Sequence, residues 1–307
     1  MGGYILKRLS IGIPTLLIIV TASFFLMRAA PGGPFDAEVD LDPLVRANLE
    51  ASYGLDQPIG TQYLRFLDGL THFDFGPSTT YPDRSVGELI ADGLPVTLKL
   101  GLTAMLLATI IGLLAGVIAA RNRNGVLDGA IMMLASVGIA VPNFVVAPIL
   151  TLLFGITLQL LPVAGWGDGS LRYWLLPVVA LALPQIAAIA RITRSSMLET
   201  LSADYVRTAR AKGMPERRVL WRHVMRSAFL PVMSYLGPVA ANVVTGSVIV
   251  EQIFSLPGIG RFFVQGAINR DYGLVMGIVI LYATVLILLN LLVDIAYGWL
   301  DPRARVK

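Results

Sequence analysis

Six apolar stretches, most of them long enough to cross a lipid bilayer, constrain this chain more than any other feature. A membrane-crossing helix needs about 20 mostly apolar residues. The segments roughly Leu9–Ala30, Pro95–Ala120, Leu127–Leu161, Trp174–Ala190, Pro231–Phe254 and Gly273–Leu300 supply them. Hydrocarbon offers the backbone no hydrogen bonds, so such segments fold as helices that satisfy their own amides. The expected fold class is therefore all-α, a polytopic membrane protein with six transmembrane helices. The charge content agrees: 14% of residues are charged, where a soluble domain carries about 25%.

The third stretch is too long for one straight helix and contains Pro142 and Pro148, so on length alone it could be two spans. Lysine and arginine decide between six and seven, because they accumulate on the cytoplasmic side. With six spans and Lys7-Arg8 inside, the inner segments hold Arg121 and Arg123, nine basic residues from Arg191 to Arg226, and Arg303, Arg305 and Lys307. Those are sixteen of the chain's 24 basic residues. Seven spans would move the largest cluster and the basic tail outside. The expected topology has both termini cytoplasmic, with the third stretch one kinked or tilted span that has room for an entry turn along the membrane surface. The first span resembles a secretory signal, with Lys7-Arg8 ahead of it and Arg28-Ala-Ala-Pro behind. Its apolar run is longer than the usual signal core of about 7–15 residues, which favours a retained anchor.

The expected organisation is a cytoplasmic N-terminus and first span (1–30), an outer helical insertion (31–93), five further spans (94–300) and a cytoplasmic tail (301–307). The insertion carries eleven acidic residues from Asp36 to Asp92. Asp42-Pro43 reads as an N-cap followed by proline at the first helical position, in a helix that ends at Gly54. Pro58 opens a stretch with Tyr63, Leu64, Phe66, Leu67 and Leu70 at helical spacing. Ser85 and Glu88 fit a capping box leading towards the second span.

Residues 197–230 interrupt the apolar chain with a basic loop. Asp204 lies in the first turn of a candidate helix and Arg207, Arg210 and Lys212 crowd its end, which suits the helix dipole. Gly213 can adopt the left-handed conformation that stops a helix, and Pro215 can start the next. On that second helix Arg218, Arg222 and Arg226 repeat every four residues and are expected to form one charged stripe. A compact helix and turn at a membrane surface is a shape that another protein can grip. On the residues alone, anchoring to anionic lipid is the alternative.

Arg207-Thr-Ala-Arg-Ala-Lys-Gly213 resembles the cytoplasmic docking loop of ABC importer permeases, in the version carried by the peptide-transport branch. The general permease pattern is Glu-Ala-Ala, three residues, then Gly. Here Arg207-Thr208-Ala209 stand at the first three positions, and the departure matches the peptide branch. Further stretches resemble the same branch: Met27–Phe35, Asn48–Pro58 with Gln62-Tyr63, Phe73–Ser78, Ser136–Pro142 with Phe144, Ala190–Arg194, Glu251–Gly260 and Asn269–Tyr272. The overall likeness is to the oligopeptide rather than the dipeptide permease subunit. The resemblance implies a type I ABC importer permease fold in a bacterial inner membrane. It implies coupling to an ATPase through Asp204, Tyr205, Arg207, Thr208, Ala209, Arg210, Ala211, Lys212 and Gly213. It also implies a second, homologous permease subunit, two cytoplasmic ATPases, and an extracytoplasmic peptide-binding protein.

Polar groups inside spans are costly and usually face a bundle interior or a water-filled path. Asn242, Thr245 and Ser247 in the fifth span, with Glu251 near its outer end, are candidates for a translocation path or gate. Helix packing is the competing reading, because Gly237, Ala240, Ala241 and Gly246 allow close approach. Asp128 and Asp294 near inner span ends are expected to pair with Arg121, Arg123 or Arg303 rather than carry protons. His72 and His223 are expected at the surface. Pro257-Gly-Ile-Gly260 reads as a turn into an outer re-entrant segment or short helix.

No Gly-x-x-x-x-Gly-Lys-Ser/Thr phosphate loop occurs in the chain, so ATP and magnesium are expected on partner subunits and no cofactor on this one. The chain is expected to be non-catalytic, to contact membrane lipid and to bind no nucleic acid. An ion-coupled transporter would place carboxylates near span centres, and an intramembrane hydrolase would need a serine with His or Lys at membrane depth. No carboxylate falls mid-span, and neither histidine lies at membrane depth. Within the importer class the cargo stays open between oligopeptides, dipeptides, glutathione and nickel.

Overall fold

A computed structural model describes residues 2–36, 42–167 and 169–300, and among them the regular structure is helical apart from one isolated bridge between Pro77 and Ser85. In chain order the helices are α1 (Gly2–Ala29), α2 (Pro43–Ser52), α3 (Ile59–Thr71), α4 (Val86–Arg121), α5 (Val126–Ala140) and α6 (Asn143–Leu150), which continues into a π turn (Thr151–Thr157). Then come α7 (Leu171–Leu201), α8 (Asp204–Ala211), α9 (Glu216–Val219) with a π turn (Leu220–Val224), α10 (Met225–Ile253), α11 (Ile259–Ile268) and α12 (Tyr272–Leu300).

Four helical segments are long and apolar enough to cross a membrane: Ser10–Ala29 within α1, α4, α7, and Tyr272–Val293 within α12. The pair α5 and α6 with its π turn is apolar enough only when taken together and is bent by 107° at the break, as a broken span or a re-entrant loop is. That bend is far sharper than the kink expected from the sequence. Val141 is extended at ψ 118° ahead of Pro142, as the residue before a proline prefers, so the helix stops there instead of bending through. The expected fifth span lies within α10, whose 29 residues exceed the length a bilayer requires.

Two compact units are present. One contains Leu98–Ser255 and the chain from Leu286 onward. Its centre is α7, which buries Leu176, Leu181, Ile189 and Met197 among others and packs against α5 and α10. α4 joins it at a close approach: a Cβ added to Gly116 would lie 2.5 Å from Thr193 Cβ and 2.6 Å from the Ala190 carbonyl oxygen. Gly112, one turn earlier, meets Ile189 in the same way. This is the small-xxx-small pattern by which helices gain van der Waals contact where lipid removes any hydrophobic drive. Asp128 is buried in the first turn of α5, and its partner is Arg194 of α7, at 2.5 and 2.7 Å, with the Asn124 amide donating at 2.9 Å. The expected partners Arg121 and Arg123 do not form that pair, because Arg194 reaches the carboxylate with both arms of its fork. The Asp294 side chain and Arg303 lie outside the described residues.

The other unit contains Gly3–Thr97 and Leu256–Val285. The helix signals read between Pro31 and Gly93 fold as expected. Asp42 accepts from the Leu44 amide at 2.8 Å, Gly54 after α2 has φ +67°, and Pro58 precedes α3. Ser85 and Glu88 exchange the two capping-box bonds at 3.0 and 3.2 Å. Tyr63 and Phe66 of α3 pack on Phe24 of α1, while Leu64 is exposed. Pro257-Gly258 leads into α11, a short helix whose first amide, Ile259, donates to Thr97 Oγ1 at 2.9 Å. Asp271 is fully buried at the start of α12. It accepts from Ser78 Oγ at 2.5 Å and from the Thr80 and Leu274 amides at 3.0 Å each.

Candidate functional site

The basic loop is built outward from an apolar floor. α8 turns Val206 and Ala209, three residues apart, towards Met197 of α7, Val219, Leu220, Val224 and Ala228 beyond the turn, and Ala120 at the end of α4. All are buried, and Met214 and Met225 pack against the same cluster. The rest of the motif faces outward: Asp204, Tyr205, Arg207, Thr208, Arg210, Ala211, Lys212 and Gly213 are exposed. Ala209, one of the nine residues assigned to coupling, thus lies in the floor and sets the height of the helix.

The turn itself is a Schellman motif. Gly213 has φ +71°, its amide donates to the Arg210 carbonyl at 2.9 Å, and the Met214 amide donates to the Ala209 carbonyl at 3.3 Å. Met214 packs on the cluster that contains Ala209, the apolar contact that accompanies this motif. Any side chain with a Cβ is disfavoured at that φ, and a β-branched one most. Across the turn Arg210 donates Nε to Glu216 Oε2 at 3.1 Å and Nη2 to Oε1 at 2.6 Å. This bidentate pair holds the Glu216 carboxyl below the ordinary glutamate range, with the Arg210 hydrogen bonds as the largest cause. Tyr205 donates its hydroxyl to Ser227 Oγ at 3.2 Å, Thr208 donates back to the Asp204 carbonyl at 2.9 Å, and Arg207 lies 3.8 Å from Asp204.

The expected arginine stripe beyond the turn is altered. Arg218, Arg222 and Arg226 are all exposed, but the π turn from Leu220 to Val224 widens the helix between them. A four-residue repeat read as α-helical therefore does not keep its register. Trp221 stands 64% exposed beside this stretch. With Ala120, Arg121, Leu201, Arg210, Glu216 and Arg217 it lines a recess of about 560 Å³, which sequence reasoning missed. A large exposed aromatic within an arginine-rich run was the available signal.

The path candidates divide. The side chains of Asn242 and Thr245 lie outside the described residues. Ser247 and Glu251 are fully buried, one turn apart on α10, with Ser247 Oγ 2.5 Å from Glu251 Oε1 and 2.8 Å from the Val244 carbonyl. His72 is exposed and His223 half-buried, and among the described residues no group of His, Cys, Asp or Glu could hold a metal ion.

Residues 112–306 match the family described as binding-protein-dependent transport system inner membrane component. The chain is 52% identical over 302 residues to the oligopeptide transport system permease protein OppB of Salmonella typhimurium, covering 98% of this chain and 99% of that one. It is 45% identical over 306 residues to the dipeptide transport system permease protein DppB of Bacillus subtilis, covering 100% and 99%. Among solved structures it is similar to a chain of the MetNI methionine ABC transporter in inward-facing conformations, with a TM-score of 0.55 and 16% identity over 70% of this chain and 96% of that one. At that identity the likeness concerns the fold alone, an all-α transporter fold.

Proposed function

The chain belongs to the family of binding-protein-dependent transport system inner membrane components, and on that premise we propose that it is the membrane-spanning permease subunit of an ATP-driven importer of oligopeptides. The observation that carries the cargo is the 52% identity, sustained over 98% of the chain, to an oligopeptide permease. In this reading a second permease subunit, two cytoplasmic ATPases and an extracytoplasmic peptide-binding protein complete the machine. ATP and magnesium stay on the ATPases. The chain crosses the inner membrane six times, with both termini in the cytoplasm.

The loop supports a mechanical role. Its outward face is polar and carries Arg207, Arg210 and Lys212, while Val206 and Ala209 bind the floor made with Met197, Val224 and Ala228. Those floor residues belong to the inner ends of α7 and α10 and to the π turn feeding α10. A push on the turn at Gly213 is therefore delivered to two spanning helices as one body, since close-packed side chains transmit displacement instead of absorbing it. In this reading Ser247 and Glu251, buried and hydrogen-bonded to each other, act as a gate that opens by separating rather than as a charged lining.

The 45% identity to a dipeptide permease gives a second reading, the same machine with shorter cargo. In a strain lacking other peptide importers, removing this chain is expected to give resistance to toxic tri- to pentapeptides and to leave free amino-acid uptake unchanged. Full sensitivity of the deletion strain would overturn the oligopeptide assignment. Loss confined to dipeptides would select the second reading.

A further inference from the structure

The recess beside the basic loop has no part in the coupling mechanism. Its wall joins the end of α4 at Arg121, the end of α7 at Leu201, the turn at Arg210 and Glu216, and the approach to α10 at Arg217 and Trp221. All of these lie in one compact unit. Charge on the wall is unbalanced. Glu216 is its one carboxylate, and both oxygens are taken by Arg210, at 3.1 and 2.6 Å. Arg121 and Arg217 are exposed, and among the described residues neither has an ion pair. The Arg121 charge is felt inside the recess, since it adds, after the Arg210 bonds, to the depression of the Glu216 carboxyl. Two guanidinium groups on the wall are thus free to meet an anion.

Depth narrows the choice of anion. Between Lys99 and Arg121, α4 carries no charged residue over a run of 21. At 1.5 Å per residue that run is about 31 Å long, the thickness of the hydrocarbon core of a bilayer. After Arg172, α7 is next charged at Arg191, beside the Ala190 carbonyl and Thr193 that meet Gly116 of α4. Gly116 precedes Arg121 by five residues, so the two helices leave hydrocarbon within about 8 Å of each other. The recess therefore opens at the level of the lipid headgroups. Trp221 suits that level, because indole rings collect at membrane interfaces.

Ala120, Leu201 and Leu220 add apolar surface beside the arginines. A phospholipid, charged at one end and oily at the other, uses both kinds of wall, whereas a soluble anion uses only one. The volume of about 560 Å³ falls among small-molecule sites, about 300–1,000 Å³. Basic pockets between spanning helices on the cytoplasmic side are a recurrent form of headgroup site, and a guanidinium matches phosphate oxygens with two parallel N–H groups. We propose that the recess seats the phosphate of an anionic phospholipid of the cytoplasmic leaflet, between Arg121 and Arg217, with Trp221 against its glycerol. The choice of leaflet rests on the importer reading above, whereas the phosphate chemistry does not. Seated there, the lipid ties the end of α4 to the helix that follows the Gly213 turn. Headgroup composition then governs how firmly the loop is joined to the spans.

The test compares the full complex in nanodiscs of phosphatidylcholine alone and of phosphatidylcholine with phosphatidylglycerol. Native mass spectrometry reads the retained lipid, and a melting curve reads stability. Phosphatidylglycerol is expected to be retained and to raise the melting temperature. Arg121→Gln and Arg217→Gln each weaken retention by about tenfold or more, as loss of a hydrogen bond to a charged group does, and Arg121→Lys keeps part of it. Arg222→Gln, at an exposed arginine outside the recess, changes retention by no more than about fivefold, the worth of one basic residue near an anionic surface. Equal effects of the three Gln substitutions would mean diffuse attraction and overturn the seat, as would retention that none of them alters. Glycerol phosphate that raises the melting temperature in pure phosphatidylcholine discs through Arg121 would put a soluble anion in the recess and overturn the lipid assignment. Loss of ATPase affinity in Arg121→Gln and Arg217→Gln that is the same in both disc types would give the recess to the ATPase and overturn it equally. A complex that retains phosphatidylglycerol through Arg121 and Arg217 but imports no peptide overturns the importer reading and leaves the seat standing.

Discussion

The turn at Gly213 and the junction at Asp271 both steer the chain towards a long helix, and they are held by opposite means. At Gly213 the bonds are local: Gly213 to Arg210, Met214 to Ala209, and Arg210 to Glu216. Polar groups face out and an apolar floor lies beneath. At Asp271 the polar group faces in and two of its three partners are remote, since Ser78 and Thr80 precede it by 193 and 191 residues. The difference separates an exposed turn from a joint sealed within the chain.

The sealed joint gives the largest expected effect. Asp271→Ala removes three bonds to a buried carboxylate and leaves the Ser78 O–H without its acceptor. Bonds to charged groups contribute about 1.5–3 kcal/mol each and do not add fully, so a loss of about 3 kcal/mol or more is expected. A melting curve of the purified complex measures it, and Asp271→Asn should recover part of the loss. A change under about 1 kcal/mol would mean that the buried network contributes far less than its geometry implies.

Gly116→Leu comes next. It forces a side chain into the space held by Thr193 and the Ala190 carbonyl, and overpacking of this kind costs about 1–3 kcal/mol. An unchanged melting temperature would show that α4 and α7 have slack at this crossing.

The smallest effect is expected at the open turn. Arg210 and Glu216 are well exposed, with side-chain accessibilities of 42% and 62%, so a double-mutant cycle with Arg210→Gln and Glu216→Gln should return under about 1 kcal/mol, screened by salt. Because the Glu216 pKa is depressed on folding, the contribution is complete above the ordinary value of 4.5 and is lost as pH falls through the lower folded value. A coupling energy well above 1 kcal/mol, or one that grows with acid, would contradict the comparison.

The same contrast explains what was legible in the sequence. Asp42-Pro43, Ser85 with Glu88, and Gly213 with Pro215 act over one turn of chain, so their side chains announce their partners. The apolar spans were legible because lipid leaves a backbone few options. The pairing of Asp128 with Arg194 was not, since proximity in sequence favoured Arg121 and Arg123 while packing of α5 on α7 brought Arg194 nearer. The π turn at Leu220–Val224 has no residue signature and shifted the arginine stripe. Arg28 read as a flank of the first span, because the cavity around it is assembled from segments as far apart in the chain as Arg28 and Tyr272.

The central claim is that the Gly213 turn is where an ATPase subunit grips this chain, and the variant Gly213→Val tests it most directly. Nothing lies within 4 Å of a Cβ built at Gly213, so the substitution strains the turn through its φ of +71° without disturbing the floor. In reconstituted vesicles containing the whole complex, binding-protein-stimulated ATP hydrolysis and peptide uptake are expected to fall together by about tenfold or more, with the permease still inserted, since a β-branched residue resists positive φ. Hydrolysis and uptake that both stay at wild-type levels would contradict the account.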